Sequence, residues 1–377
     1  MKDDEKPGPP PWRPTEVSAT VPRDGPPSPA TWPPGALPTG TVPPEARSAP
    51  LSATLPPAPH GPGGMVPHTG SMSVVPGFHG GTLPPGVFPS GFQGAPLFVP
   101  PRVGDIVRTP RGFGYAVLGV LSSGGFSTVY EGVDPFETPV AIKVFSPTAT
   151  YVAVRERWFA EAALLRQLVH PNIVYIYDAF EYQGGFYLVL EKAEGNLGQY
   201  ILGMPVLSSE TVLSIAQQLL RALHFIHEHG VIHEDLHPGN ILVFPGLIVK
   251  ISDFGISRRL LGAEVRVAPE TFHRKFVAPE LASHGYTTPQ SDLYHLGLIL
   301  YALVTGQHAI DPALPDHEVS RLVLEGVPRQ KAEALGTPLG QAIAKLLRRR
   351  QQYRYQSALE AWNDFRPLFP ARRFPGT

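Results

Sequence analysis

Three oxygen-bearing side chains lie close together in the sequence, in the segments His-Glu-Asp-Leu-His-Pro-Gly-Asn (233–240) and Asp-Phe-Gly (253–255). Asp235 is a carboxylate that could receive a proton from a hydroxyl group, and Asn240 and Asp253 carry the oxygen ligands that Mg²⁺ prefers. Phosphoryl transfer needs little else from a protein, because positioning and charge neutralisation supply most of the catalysis. Both segments at this separation are improbable by chance, so the pattern favours phosphoryl transfer.

Four other groups of residues flank these segments, and each is a weak signal alone because glycine-rich hairpins and lysine-terminated strands are common. In sequence order they are Leu-Ser-Ser-Gly-Gly-Phe-Ser-Thr-Val (121–129), Val-Ala-Ile-Lys (140–143) followed by Glu161, Tyr-Leu-Val-Leu-Glu (187–191), and Ala-Pro-Glu (278–280) followed by Asp292 and Arg354. In this order they resemble the motifs of the protein kinase superfamily and would suit a bacterial Ser/Thr-type kinase. The resemblance covers roughly Gly112 to Phe369.

The resemblance implies an ATP site at the glycine-rich turn and the strands around it. Lys143 would hold the α- and β-phosphates, and Glu161 would pair with Lys143 to keep it oriented. The main chain of Glu191 and Ala193 would meet the adenine edge, with Leu190 as the gatekeeper. The residues implied in nucleotide binding are Leu121, Gly124, Gly125, Val129, Ala141, Lys143, Glu191, Ala193 and Leu242.

The resemblance also implies catalytic and metal-binding roles. Asp235 would be the base, and Asn240 and Asp253 would hold Mg²⁺ beside ATP. His237 stands where Ser/Thr kinases have a lysine that contacts the γ-phosphate. Pro238 favours serine or threonine over tyrosine as the acceptor.

Three residues near the end of the resemblance imply a protein substrate. Glu280 and Arg354 match a buried ion pair beneath the activation segment, and Asp292 matches the anchor of the catalytic loop. Small-molecule kinases of the aminoglycoside phosphotransferase type generally lack that segment, although they remain an alternative. A stacked column seated on Asp292 is also implied, formed by Leu165, Ile176, His233 and Phe254.

A pseudokinase that acts as an ATP-binding scaffold or regulator is the main alternative. Ser122 and Ser127 replace the first and third loop glycines, His237 replaces the lysine, and Phe272-His273 replaces a Gly-Thr pair. Glu234 replaces the arginine before the base, which makes the sequence a non-RD type. The catalytic residues named above are nevertheless all present, so we expect a slow but active kinase.

Loss of that arginine has a regulatory consequence. Arginine at this position would be neutralised by a phosphorylated activation loop, and Glu234 cannot serve in that way. We therefore expect activity without activation-loop phosphorylation, although Ser257 and Thr271 could still be modified.

Alternating and helical apolar patterns predict the elements that position these groups. Five strands and one helix are expected between Gly112 and Glu191, and mostly helices beyond Gly195. The predicted fold class is α+β, a two-lobed protein kinase-like fold with a small β-rich N-lobe and a larger helical C-lobe. The predicted layout is a disordered segment at 1–101, a kinase domain at 102–369 (N-lobe to about 194, C-lobe from about 195) and a tail at 370–377.

Composition bounds the partners and the compartment. Most of the 45 prolines precede Arg102, which predicts a flexible tether. Its phenylalanines could dock on a partner or on the kinase domain itself, and they are Phe78, Phe88, Phe92 and Phe98. No domain shows the basic excess that nucleic-acid binders normally carry, and the longest apolar run is too short to span a membrane. The absence of cysteine fits a reducing compartment. We therefore expect a soluble, cytoplasmic protein.

Overall fold

The structure is a computed structural model that describes residues 98–147, 149–203, 206–260, 266 and 276–369. Several predictions concern residues outside these ranges. They are the disordered segment as far as residue 97 with its first three phenylalanines, Thr271, Phe272-His273 and the tail at 370–377.

The N-lobe is built on an antiparallel sheet of six strands in the order β1-β2-β3-β4-β6-β5. Its strands are β1 Ile106–Arg108, β2 Gly114–Ser123, β3 Ser127–Val133, β4 Pro139–Phe145, β5 Ile176–Tyr182 and β6 Gly185–Glu191. The five strands expected between Gly112 and Glu191 are present, but the sheet has a sixth strand, β1, before that range. The missed strand β1 has only three residues, too few to show a period of two, and it is defined by pairing with β2, where Val107 faces Tyr115.

One face of this sheet supports helix α1 (Tyr151–Gln167). The helix begins at Thr150, whose hydroxyl accepts a hydrogen bond from the backbone N–H of Ala153 and so satisfies one of the free donors of the first turn. Val154, Trp158 and Leu165 face the sheet and are buried. These contacts set the position of Glu161 on the same helix.

The other face of the sheet carries an aromatic cluster. Tyr187 stacks on Phe180, with ring centroids 5.3 Å apart, and Phe180 stacks on Tyr115 at 6.0 Å. Phe98 packs against this cluster so closely to Gly185 that a side chain there would collide with its ring. The packed part of the chain therefore begins at least four residues before the predicted boundary at 102.

The C-lobe is mostly helical, as predicted. Its helices are α2 Leu197–Gly203, α3 Ser209–Glu228, α4 Pro279–His284, α5 Pro289–Thr305, α6 Asp316–Glu325, α7 Val327–Glu333, α8 Pro338–Leu346 and α9 Ala358–Phe365. Its short strands are β7 Gly195–Asn196, β8 Val231–Ile232, β9 Ile241–Phe244, β10 Ile248–Ile251 and β11 Arg258–Arg259. The two-lobed α+β architecture expected from the sequence is thus confirmed.

Helix α5 is the centre of the C-lobe. It is buried on nearly every side, from Ser291 to Leu303, which explains its long apolar run. Among the residues described here, no helix is long and apolar enough to cross a membrane.

Candidate active site

The site begins with a lysine held between two carboxylates. Strand β4 directs Lys143 between helix α1 and the Asp-Phe-Gly segment. Its Nζ lies 2.7 Å from Oε1 of Glu161, 2.9 Å from Oε2, and 2.8 Å from Oδ1 of Asp253. The structure thus places in contact the lysine and glutamate that the sequence pattern pairs.

The three charges of this cluster stabilise one another. Burial disfavours the ammonium ion of Lys143, but Asp253 and Glu161 outweigh burial and raise its pKa. Burial raises the pKa of Glu161 to about 6, although Lys143 opposes the shift. The pKa of Asp253 is lowered, because Lys143 outweighs the effect of burial. All three groups are therefore charged at neutral pH.

The catalytic loop brings Asp235 and Asn240 together. The amide nitrogen of Asn240 donates to the backbone carbonyl of Asp235 at 2.9 Å and to its Oδ2 at 3.0 Å. His237 caps the short helical turn between them, since its Nδ1 accepts the backbone N–H of Gly239 at 3.1 Å. Nε2 of His237 lies 3.7 Å from Oδ2 of Asp235, so the imidazole lines the same cleft as the carboxylate.

The carboxyl group of Asp235 is unusually basic. Burial and the nearby charge of Asp253 raise its pKa to about 7, against the opposing effects of Asn240 and Lys143. Its Oδ1 is buried and has no hydrogen-bond partner within the described part of the chain. A buried oxygen of this kind is suited to accept a proton from an incoming group.

The backbone of this loop is anchored from below by Asp292 at the start of α5. Its Oδ2 accepts the N–H of His233 at 2.9 Å, and its Oδ1 accepts that of Glu234 at 3.0 Å. Nε2 of His227, on α3, also lies 2.9 Å from Oδ2. Burial raises the pKa of Asp292, but these partners outweigh it and the net shift is downward. Nothing in the sequence indicates this role for His227, because a histidine on a helix carries no signal of its own.

Part of the predicted stacked column is seen directly. The rings of His233 and Phe254 meet edge to face at 4.9 Å, and Leu165 and Ile176 are buried in the same hydrophobic core. Nε2 of His233 lies 3.0 Å from the carbonyl of Ser252. Such contacts make His233 a structural group and fix the entry to the Asp-Phe-Gly segment.

Two backbone features at this segment are strained or closely packed. Asp253 has φ of 61°, a left-handed conformation that non-glycine residues adopt at a cost. At Gly255 a Cβ would lie 3.1 Å from both Oδ1 of Asp253 and Oε2 of Glu161. Glycine at 255 therefore allows the carboxylates to approach Lys143.

The residues expected to bind nucleotide come from β2, β3, β4 and the turn between β2 and β3, from the end of β6 and the segment after it, and from β9, and most are apolar. Glu191 contributes only main-chain groups to this side, because its side chain turns away to Lys250, whose Nζ is 2.6 Å from its Oε1. A Cβ at Gly125 would meet nothing within 4 Å, and one at Gly124 would meet the carbonyl oxygen of Ser127 at 3.7 Å. Of the others, Leu121 is exposed, and Ala141 and Lys143 are buried. Val129 and Leu242 are partly buried and pack on the core, and Ala193 is partly buried.

Farther from the cleft, Arg354 and Glu280 form the buried ion pair expected from the sequence. Nη1 of Arg354 is 2.9 Å from Oε1 of Glu280, and Nη2 is 3.1 Å from Oε2. The hydroxyl of Ser291 donates to the same Oε1 at 2.5 Å. Both charges are satisfied, as a buried pair requires.

Glu234, which stands where the family resemblance leads one to expect an arginine before Asp235, has its own buried surroundings. Its Oε1 accepts the hydroxyl of Thr287 at 2.5 Å, and its Oε2 lies 3.9 Å from Nε of Arg258 in the activation segment. The residue is only 2% exposed and has φ of 67°. The position that usually carries a cation thus carries an anion that faces a cation.

The donor set in the cleft fits Mg²⁺ bound together with phosphate. Asn240 donates through its amide nitrogen, which leaves the amide oxygen for another partner, and the side chain of Asp253 is 44% exposed toward the cleft. Among the described residues, no group of three histidine, cysteine, aspartate or glutamate side chains forms a metal cage. Mg²⁺ commonly takes one or two protein oxygens and completes its shell with water and phosphate.

Comparisons with known proteins agree with this geometry. The protein kinase domain family matches residues 115–359, more than half of the chain. Similar curated proteins include the "Probable serine/threonine-protein kinase PknB" of Lactococcus lactis, 36% identical over 52% of this chain and 32% of its own length. The "Serine/threonine-protein kinase PrkC" of Bacillus subtilis is 30% identical over 69% of this chain and 41% of its own length.

A plant relative is similar over a shorter stretch, the "Serine/threonine-protein kinase TIO" of Arabidopsis thaliana, 34% identical over 51% of this chain and 15% of its own length. The chain thus spans less than half the length of these relatives. The family match includes the lysine–glutamate pair, the catalytic loop and the Asp-Phe-Gly segment described above. This chain therefore belongs to the protein kinase domain family.

Proposed function

We propose that this chain is an ATP-dependent protein kinase that transfers the γ-phosphate to serine or threonine hydroxyls. The observation that carries the proposal is the contact of Lys143 with both Glu161 and Asp253, next to Asp235 in the same cleft. This is the arrangement that phosphoryl transfer requires, with a cation for the phosphates beside the metal ligand and the base.

In this mechanism Asp235 orients the acceptor hydroxyl and receives its proton. A pKa of about 7 places the carboxylate near the operating pH, where a general base is most effective. Asn240 holds Oδ2 of Asp235 through its amide N–H. Oδ1 of Asp235, buried and without a described partner, remains to meet the substrate.

Asn240 and Asp253 are the proposed ligands of Mg²⁺. The bound metal would neutralise charge on the phosphates during transfer. Lys143 would hold the α- and β-phosphates, and Glu161 would keep its ammonium group aimed at them. His237 would face the γ-phosphate from the catalytic loop.

A protein acceptor is favoured over a small molecule. The buried pair of Glu280 and Arg354 supports the end of the activation segment, where protein kinases hold the substrate. The relatives are named as serine/threonine-protein kinases, and Pro238 is in keeping with the Ser/Thr form of the catalytic loop. We also propose a cytoplasmic setting, because ATP is the phosphate donor.

The experiment is incubation of the full chain with [γ-³²P]ATP and Mg²⁺, alone and with a generic basic protein. Acid hydrolysis of the labelled protein identifies the modified residue. Phosphoserine or phosphothreonine supports the proposal. Binding of ATP without any transfer would favour the pseudokinase alternative. Label found only on a small molecule would favour a small-molecule phosphotransferase.

A further inference from the structure

Helix α1 is attached to the N-lobe by few side chains. Only five of its 17 residues are buried, whereas α3 buries nine of 20. The outer side of α1 exposes Val152, which therefore adds little to its attachment to the sheet. The free energy that holds α1 in place is thus concentrated in a small number of contacts.

Trp158 makes the most specific of these contacts. Its indole N–H donates to the backbone carbonyl of Tyr187 on β6 at 3.0 Å, and Trp158 is only 6% exposed. Its ring lies 5.2 Å from that of Phe186, and Tyr151 covers the other side of Phe186 at 5.1 Å. The hydrogen bond of Trp158 is directional and lies beside packed aromatic rings. Together these contacts fix both the position and the rotation of the helix at this turn.

The register of α1 connects this bond to the active site. Glu161 lies three residues after Trp158, so both side chains leave the same face of the helix. A helix that rotates or moves outward at Trp158 would withdraw Glu161 from Lys143, whose Nζ is now 2.7 Å away.

We propose that Trp158 is a positioning residue for phosphoryl transfer, one that holds α1 so that Glu161 orients Lys143. The inference rests on the proposed kinase function. It assigns to the chain an internal means of keeping α1 in the productive position, through the bond from Trp158 to Tyr187.

The test uses Trp158→Phe, which keeps an aromatic ring in the site and removes the N–H donor. Trp362→Phe is the matched control, since Trp362 is a half-buried tryptophan on α9 in the C-lobe. Glu161→Gln and the double variant Trp158→Phe/Glu161→Gln complete a cycle. All four are made in the full chain, and the unfolding temperature of each verifies folding.

Trp158→Phe removes one buried hydrogen bond and should lower kcat/KM for ATP by about 5-fold. Trp362→Phe keeps that bond and should have the wild-type kcat/KM. Because Trp158 acts through Glu161, its removal should have almost no further effect in the Glu161→Gln background. If the fall in kcat/KM of the double variant equals the product of the two single falls, the proposal is overturned, because Trp158 would then act through general stability.

Hydrogen exchange gives a second readout that does not require catalysis. Amides of the peptide 151–167 should exchange faster in Trp158→Phe than in wild type, and at the wild-type rate in Trp362→Phe. If the wild type transfers no phosphate, the proposed function fails, and the cycle is then measured on the affinity for Mg·ATP. Unchanged exchange in 151–167 would contradict the positioning role whether or not the chain is active.

Discussion

Nζ of Lys143 lies 2.7 Å from Oε1 of Glu161, and the same ammonium group contacts Asp253 at 2.8 Å. This contact joins three elements that are distant in sequence, namely β4, α1 and the Asp-Phe-Gly segment. The cluster is charged and nearly enclosed, since Lys143 is 5% exposed and Glu161 1%. Removal of Lys143 leaves Glu161 buried without its partner, which is costly, whereas removal of Glu161 leaves Lys143 its contact with Asp253.

The first prediction concerns this pair. Lys143→Met should lower kcat/KM for ATP by roughly 100-fold or more, because the cation that orients the phosphates is lost. Glu161→Gln should cost less, about 10-fold, because the carboxylate that orients Lys143 is lost but the ammonium group remains and still contacts Asp253. Steady-state kinetics with varied ATP measure both effects.

Lys192→Met is the control for these variants. Lys192 lies in the segment after β6 and is ion-paired with Glu131 at 3.2 Å, away from the catalytic carboxylates. It should retain wild-type kinetics. A fall in kcat/KM as large as that of Lys143→Met would show that any lysine substitution near the cleft is damaging.

The second prediction is that His237→Lys accelerates transfer by about 5- to 10-fold. Lysine carries a permanent charge near pH 7, so it should stabilise the γ-phosphate in the transition state better than imidazole does. His237→Asn is the matched control, because asparagine keeps an acceptor for the N–H of Gly239 but adds no cation. A rate unchanged by lysine would show that residue 237 does not contact the γ-phosphate.

The third prediction concerns regulation through Glu234. Its carboxylate accepts the hydroxyl of Thr287 and faces Arg258, so a phosphate added nearby would meet an anion and be repelled. The double variant Ser257→Ala/Thr271→Ala should therefore keep most of the wild-type transfer rate. Mass spectrometry verifies that the chain carries no other activation-segment phosphate. Complete loss of transfer in a folded double variant would contradict this prediction.

The fourth prediction concerns pH and stability. His295 on α5 is 1% exposed, and neither ring nitrogen has a hydrogen-bond partner among the described residues. Burial lowers its pKa to about 4, against the opposing effects of Asp292 and Glu280. As pH falls from 6.5 to about 4, the unfolded chain binds a proton that the folded chain does not. Folding should lose about 3 kcal/mol over that interval from this residue.

Denaturant unfolding at several pH values tests this loss. His295→Leu should flatten the decline in unfolding free energy between pH 6.5 and pH 4. His284 is the exposed last residue of α4, so His284→Leu should keep the wild-type dependence of unfolding free energy on pH. An equal slope in wild type and His295→Leu would show that the buried imidazole is not the cause.

Two kinds of feature could be predicted well from the sequence. They are contacts between motif residues at fixed spacing, and strands and helices with a clear apolar period. The five strands and one helix expected between Gly112 and Glu191 are present, and the ion pairs of Lys143 with Glu161 and of Glu280 with Arg354 were anticipated from motif order. Contacts that depend on tertiary packing were not. Nothing local marks His227 as a partner of Asp292, and nothing in the sequence of Trp158 indicates a bond to β6.

The surroundings of Glu234 also could not be inferred from its position in the loop. The sequence showed that a cation was missing there, but not that Thr287 and Arg258 would face the carboxylate. Thr287 lies in the loop that precedes α5, and Arg258 lies in the activation segment. Their approach depends on how distant segments fold onto the catalytic loop.

The central claim, that Asp235 is the base of an ATP-dependent protein kinase, is tested most directly by single-turnover transfer from [γ-³²P]ATP with Mg²⁺. Asp235→Asn is compared with wild type, and the affinity of both for Mg·ATP is measured in parallel. We predict unchanged affinity and a transfer rate lowered by about 10²- to 10³-fold, because asparagine cannot accept the hydroxyl proton. Transfer by Asp235→Asn at the wild-type rate would contradict the claim.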